Sequence, residues 1–370
     1  MKILVTGSKG FVGRNLIRQL NNEDYQDIIE FNREDMLSSL ESKLENVDFI
    51  FHLAGVNRPK DNTEFYVGNT DLTTQLIELL KAKKMRTPII YTSSIQAALD
   101  NDYGKSKKMA EDQLFEYAQT QSTPVYIYRL SNLFGKWSRP NYNSVVATFA
   151  HNLTHNIPLQ INDPDVTLNL NYIDNVIGDF IRTMKNGHPT KEGQYCIVPE
   201  SYEITVGELA GKLQKFHDNR ETLVMPSLKA QFDRDLYGTY LSYLPEDQFS
   251  YYLKKNEDNR GWLAEFIKSE DNGQIFISTT KPGITRGNHW HHTKVEKFLV
   301  IQGTGLIEFR QVGTDKILKY PVSGDKPEVV DIPVGYTHNI SNTGAETMIT
   351  LFWACEIFDP EKPDTYYEGV

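Results

Sequence analysis

The first 130 residues alternate apolar runs of four to seven residues with stretches of helical periodicity, and a glycine-rich turn joins the first run to the first helix. Runs at 2–6, 28–31, 47–53, 88–91 and 125–130 read as strands, while 11–20, 65–80 and 105–117 carry apolar residues at helical spacing. Strands so short and so continuously apolar are buried on both faces, as parallel strands are. The alternation predicts an α/β fold with a Rossmann-type doubly wound parallel sheet. Beyond about residue 270 the texture changes. Runs at 275–279, 295–301, 306–311, 329–332 and 347–353 are separated by Gly, Pro, Asn and Asp, with no helical pattern between them. That spacing predicts an all-β sandwich or barrel. The expected organisation is a first domain at 1–245, in which 136–244 builds a substrate lobe, a polar linker at 246–258 and a barrel domain at 259–370.

A formal net charge of -10 repels phosphodiester backbones and anionic lipid, so no nucleic-acid or membrane partner is expected. A small anionic ligand needs only a few local cations and stays open. The two cysteines, Cys196 and Cys355, form no CxxC motif. The amino terminus lacks the apolar run of an export signal, and no stretch approaches the ~20 apolar residues of a membrane span. A cytoplasmic protein is expected.

Three constellations carry chemistry. In TGSKGFVG (6–13), Gly7 permits a tight turn, Gly10 lets backbone approach a pyrophosphate, and Gly13 lets helix and strand pack closely. Phe11 and Val12 open the helix, whose amides and dipole favour phosphate. The second strand ends at Asn32-Arg33 rather than at an acidic residue. A guanidinium at Arg33 suits a 2′-phosphate, so NADPH is expected over NADH. Second, Tyr103 and Lys107 form a YxxxK pair on one helix face, where an ammonium lowers a phenol's pKa. Ser94 ends the fourth strand nine residues earlier, with Thr92 and Ser93 as alternative hydroxyls. Third, His289, His291 and Glu296 with the distant His338 offer three imidazoles and a carboxylate. That set suits a divalent metal, zinc first among Zn, Ni, Mn and Fe.

On these motifs, residues 1 to about 240 resemble the extended short-chain dehydrogenase/reductase family. HLAG (52–55), RLSNLFG (129–135) and YID (172–174) match its further motifs. The resemblance implies that Ser94, Tyr103 and Lys107 are catalytic, that Leu53 and Ala54 join the cofactor site, and that Asn69 and Asn132 face substrate. The histidine region, with PVGYTH (333–338) and Asn342, resembles the cupin superfamily, a jelly-roll barrel. The two in this order resemble bifunctional epimerase/reductases of capsular polysaccharide synthesis. The resemblance implies a UDP-4-keto-6-deoxy-HexNAc, UDP-2-acetamido-2,6-dideoxy-4-hexulose, as substrate. The cupin would invert C3 and the first domain would reduce C4 with NADPH. The product would be UDP-N-acetyl-6-deoxy-L-talosamine, on the route to UDP-N-acetyl-L-fucosamine, and a homodimer is the expected assembly. A 4-keto group acidifies the neighbouring C–H bonds, and His292, Lys297 and Glu308 stand as candidate bases. The alternative is a nucleotide-sugar 4-epimerase or dehydratase whose cupin is structural or dimerising, although residues 93–97 lack the acidic pair expected of a dehydratase.

Overall fold

The computed structural model describes all 370 residues and divides into two compact units, Met1–Leu213 with Arg234–Leu244, and Gln214–Asp233 with Pro245–Val370. In the first unit, strands β1 (Ile3–Thr6), β2 (Ile28–Phe31), β3 (Phe49–His52), β4 (Ile89–Ser94) and β5 (Val125–Leu130) form a parallel sheet in the order β2-β1-β3-β4-β5. Two short strands, Tyr195–Cys196 and Lys191–Glu192, extend it beyond β5. The pleat sends Ile3 and Val5 to one core and Leu4 to the other. The first core includes side chains of the helices Phe11–Asn22 and Ile173–Asn186, and the second those of Leu72–Ala82 and Asp102–Gln121. This double burial is the reason that the strands read as unbroken apolar runs. Because β2 and β3 flank β1, the strand order reverses there, which opens a crevice at the carboxyl ends of β1 and β3. A smaller sheet joins Asn132–Phe134, just before the region expected to hold the substrate lobe, to Thr167–Tyr172 and Tyr202–Thr205 within it.

The second unit has two antiparallel sheets. Six strands run in the order Lys255–Asp258, Gly261–Ser269, Gly273–Thr280, Met348–Ala354, Glu296–Gln302 and Val329–Ile332. Five run in the order Ile317–Ser323, Thr304–Gln311, Tyr336–Asn342, Thr285–Trp290 and Tyr366–Tyr367. Phe298, Val300, Ile307, Phe309, Ile340 and Phe352 lie in their common core. Five of these strands were legible as apolar runs. The others, such as Thr285–Trp290 and Tyr336–Asn342, are rich in polar residues and give no such run. Lys255–Asp258, inside the segment read as a linker, pairs with Gly261–Ser269. The segment Gln214–Asp233 joins this unit through backbone bonds of 2.8 and 2.7 Å linking Lys268 with Leu223 and Met225.

One buried ion pair ties the first unit's helix to its sheet. The Glu111 carboxylate, fully buried on the helix Asp102–Gln121, accepts from Arg129 of β5 at 2.9 and 2.7 Å and from Ser93 of β4 at 2.5 Å. Tyr195 stacks on the guanidinium, 3.7 Å from ring centre. Removing the cation leaves a buried charge without its partner. Arg129→Leu should therefore cost about 3–5 kcal/mol of stability, measured by urea denaturation.

Candidate active sites

The first site lies at the crevice. Gly7 follows β1 with a φ of +70°, and a Cβ there would lie 2.8 Å from the Ala54 backbone. The turn must therefore be glycine, and it brings Thr6 Oγ1 within 3.2 Å of the Ala54 amide. Leu53 bonds back to the Thr6 carbonyl. Gly10 caps the helix with no side-chain acceptor, and the first turn, which holds Phe11, Val12 and Gly13, carries no acidic residue. A Cβ at Gly13 would strike the Gly7 carbonyl at 2.3 Å. The helix start is thus bare of competing acceptors, and its residues fit a dinucleotide pyrophosphate. Asn32 is not a free hydrogen-bonding group. Its side chain accepts from the Lys9 amide and bonds with Ser8. Arg33 is exposed and within 3.6 Å of Glu64.

At the end of β4 the three candidate hydroxyls separate. Ser93 is held on Glu111, and Thr92 is buried with its carbonyl on Lys107. Ser94 caps the turn Ile95–Ala98 by accepting from the Gln96 amide at 3.2 Å, and of the three hydroxyls it is the one that acts on the Tyr103 phenol, favouring its ionised form. The short spacing is bridged because Gly104 lets the helix start press on that turn, where a Cβ would meet the Gln96 carbonyl at 2.3 Å. No sequence motif singled out Gly104. Lys107, one helical turn beyond Tyr103, is buried with its amine donating to the Thr92 carbonyl at 2.9 Å. Contrary to the expected lowering by Lys107, the Tyr103 hydroxyl is pushed up. Burial dominates, with Tyr142 adding to it and Ser94 opposing. Asn69 is buried, with its amide bridging both backbone groups of Val56 and the Ser106 hydroxyl. Asn132 is exposed and donates to the Asn169 carbonyl.

The second site lies within the barrel unit. The ligand atoms of His289, His291, Glu296 and His338 all lie within 4.8 Å of one another. His289 and His338 are cross-strand partners, and a register shift between Gly287 and His289 sets His289 in place. His291 Nδ1 faces the Asp364 carbonyl at 2.6 Å, so that nitrogen carries the proton. In the neutral ring its Nε2 lone pair then faces the Glu296 carboxylate at 3.2 Å. His338 repeats the pattern: Nδ1 faces the Tyr336 carbonyl, and buried Nε2 has no hydrogen-bond partner and lies 3.4 Å from Glu296. Lone pairs converging in a buried space need a proton or a cation between them, and the set fits a divalent metal. Burial first, and then His338 and His291, pull the His289 imidazolium down to about 4. Burial raises the Glu296 carboxyl; when His291 and His338 are both doubly protonated, their charge and N–H donors outweigh burial and hold it well below the usual carboxylate range. None of the three candidate bases is in the cluster. His292 is exposed against Trp290 and Tyr366, Lys297 pairs with Asp331, and Glu308 pairs with Lys319. Strand parity is the reason for the last two, which point away from the core that Phe298, Ile307 and Phe309 enter. The cavity beside the cluster is instead lined by Arg260, Arg286, Ser278 and Tyr367, none of which stood out in the sequence.

A Rossmann-type sheet with a bare glycine turn, followed by a cupin-type barrel, defines a nucleotide-dependent reductase/epimerase architecture. The chain belongs to the NAD dependent epimerase/dehydratase family, which it matches over residues 3–194, and residues 256–366 match the polysaccharide biosynthesis C-terminal domain. It is 46% identical over 366 residues to UDP-2-acetamido-2,6-beta-L-arabino-hexul-4-ose reductase of Pseudomonas aeruginosa, covering 99% of this chain and 98% of that protein. It is similar throughout to the capsular polysaccharide assembling protein CapF of Staphylococcus aureus. The crystal structure of that protein superposes with a TM-score of 0.93 at 49% identity and 100% coverage of both chains. A CapF structure with the inhibitor 3-isopropenyl-tropolone superposes with a TM-score of 0.89 at 46% identity, again over both full chains. No helix is long and apolar enough to cross a membrane.

Lys107 generates a pH prediction. Burial lowers its ammonium from the ordinary 10.5 to about 8. Between those values the unfolded chain holds a proton that the folded chain has released, so stability rises with pH across that window. In Lys107→Met that rise should disappear, as read from urea titrations spaced across it.

Proposed function

We propose that the chain is a cytoplasmic, homodimeric bifunctional nucleotide-sugar enzyme of capsular polysaccharide synthesis. Its barrel epimerises C3 of a UDP-2-acetamido-2,6-dideoxy-4-hexulose, and its first unit reduces C4 to give UDP-N-acetyl-6-deoxy-L-talosamine. The observation that carries the reading is the presence in one chain of Tyr103 one helical turn before a buried Lys107 that is bonded to the end of β4, together with a three-histidine, one-carboxylate cluster. A single ketone links the two, since it acidifies its neighbouring C–H bond and is itself reducible. The P. aeruginosa relative, named for reduction of such a 4-ketose, supports it.

In the first unit Gly7, Gly10 and Gly13, with Phe11, Val12, Leu53 and Ala54, would hold NADPH, which supplies the hydride for C4. Tyr103 gives its proton to the C4 oxygen, and Ser94 holds that oxygen by a hydrogen bond. Lys107 lies one helical turn beyond Tyr103 and would bind the nicotinamide ribose. Asn132 contacts the sugar from its exposed strand, and Asn69 shapes the substrate side through its hold on Val56. In the barrel, His289, His291, Glu296 and His338 would hold the metal, zinc first, which supplies Lewis acidity toward the keto oxygen. The Asp364 carbonyl orients His291 for that role.

The test is the full chain with the keto-nucleotide and NADPH in deuterated water, followed by NMR of the sugar. Wild type should consume NADPH and take up deuterium at C3. Tyr103→Phe should lose roughly 10²–10⁴-fold of the reduction while uptake continues, and His338→Ala should do the reverse. Loss of both activities in Tyr103→Phe would overturn the division of labour.

Arg33 reads the 2′-phosphate in this scheme. Arg33→Ala should lower kcat/KM for NADPH roughly ten- to a hundredfold and leave that for NADH unchanged. Equal wild-type efficiency with the two cofactors would remove the assignment.

A further inference from the structure

We propose that Arg260 and Arg286 form an anion subsite in the barrel cavity, which takes the diphosphate of a nucleotide sugar whose hexose lies at the histidine–carboxylate cluster. The inference rests on the proposed C3 chemistry and assigns the part of the substrate that the cluster itself cannot hold. Both guanidiniums line the same cavity as His289 and Glu296.

Both arginines are built onto one residue, Thr279. Gly261 follows Arg260 with a φ of +138°, and a Cβ there would lie 2.2 Å from the Thr279 carbonyl. The Arg260–Gly261 backbone therefore rests directly on Thr279, and the Arg260 carbonyl accepts from the Lys281 amide at 3.0 Å. Arg286, on the strand Thr285–Trp290 of the other sheet, donates to the same Thr279 carbonyl at 3.0 Å and to Thr280 Oγ1 at 3.2 Å. Its side chain is largely buried, at 15% exposure, so the charge was placed there at a desolvation cost.

Asp258 accepts from Arg260 at 2.9 and 2.6 Å and lies 4.0 Å from Arg286. One carboxylate thus serves two guanidiniums. Each fork keeps further N–H donors beyond those bonds, in the planar arrangement that matches phosphate oxygens. A third group points the same way. Ser278 lines the cavity, and its buried hydroxyl has no hydrogen-bond partner in the protein. The opposite chemistry lines the rest: Leu263, Phe276, Phe298 and Phe352, with the Phe276 and Phe352 rings stacked at 4.8 Å. Such a cavity offers one cationic, hydrogen-bonding patch and one apolar wall, which suits a ligand with a localised negative charge rather than a uniformly polar one.

The probe is UDP, titrated calorimetrically into the full-length, metal-replete protein and into Arg260→Gln and Arg286→Gln. Arg260→Gln is the decisive variant because its side chain is about half exposed, whereas that of Arg286 is largely buried. Each variant should lose one UDP site per chain, or weaken one at least tenfold, with metal content unchanged. In the C3 exchange assay the KM for the keto-nucleotide should rise at least tenfold while kcat changes less than about threefold. UDP binding in Arg260→Gln identical to wild type would overturn the subsite. If wild type itself shows no C3 exchange, the parent reading falls, and the UDP titration still decides whether the arginine pair binds a diphosphate.

Discussion

The Glu111 carboxylate fixes the first site, although it belongs to the core rather than to the crevice. Its bonds to Ser93 of β4 and Arg129 of β5 lock the helix Asp102–Gln121 in one register along the sheet. Tyr103, Lys107 and Glu111 follow at intervals of four, so fixing one fixes all three along the same helical face. Strand parity completes the arrangement. With Ser93 turned back to Glu111, Thr92 and Ser94 must turn the other way. Lys107 donates to the Thr92 backbone carbonyl, and Ser94, at the strand end, caps the turn Ile95–Ala98. A buried ion pair is a poor source of net stability, but it is an effective registry device, because every alternative register leaves a charge without a partner.

The barrel solves a different problem. Three imidazoles and a carboxylate are gathered in a largely buried space, and His291 and His338 commit their Nδ1 protons to backbone carbonyls. Much of that commitment comes from the chain's last residues. The Asp364 carbonyl takes the His291 proton, and its carboxylate accepts the amides of His292, Thr293 and Lys294 at 2.8–3.0 Å. Tyr366–Tyr367 then pairs with the strand that carries His289. The carboxy-terminal strand therefore helps to build the site, and a truncation there would disturb the ligand set before it disturbed the core.

Much of this was legible because burial on two faces and glycine at close contacts both leave marks in a linear sequence. The five parallel strands and the glycine turn are of that kind, while the YxxxK pair and the three histidines and glutamate that converge were legible from residue type and spacing. The polar strands of the barrel were not, since Thr285–Trp290 alternates without an apolar face to betray it. Nor was the choice among Thr92, Ser93 and Ser94, which depends on a carboxylate 18 residues away from Ser93. The candidate bases failed for a related reason. Lys297 and Glu308 are near cluster residues in sequence or sheet, but a one-residue step along a strand points a side chain out of the core.

The sequence by itself determined the two architectures, the glycine-lined crevice and the identity of the three histidines and one glutamate that converge in the barrel. Periodicity and residue type are local properties, and local properties survive in a linear string. Only the tertiary structure decided that Glu111 takes Ser93 while Ser94 caps the next turn, that burial raises the Tyr103 phenol, and that Arg260 and Arg286 share an anchor with one carboxylate between them. Those outcomes are set by distances between residues far apart in the chain and by exclusion of water, and neither is written in the order of the amino acids.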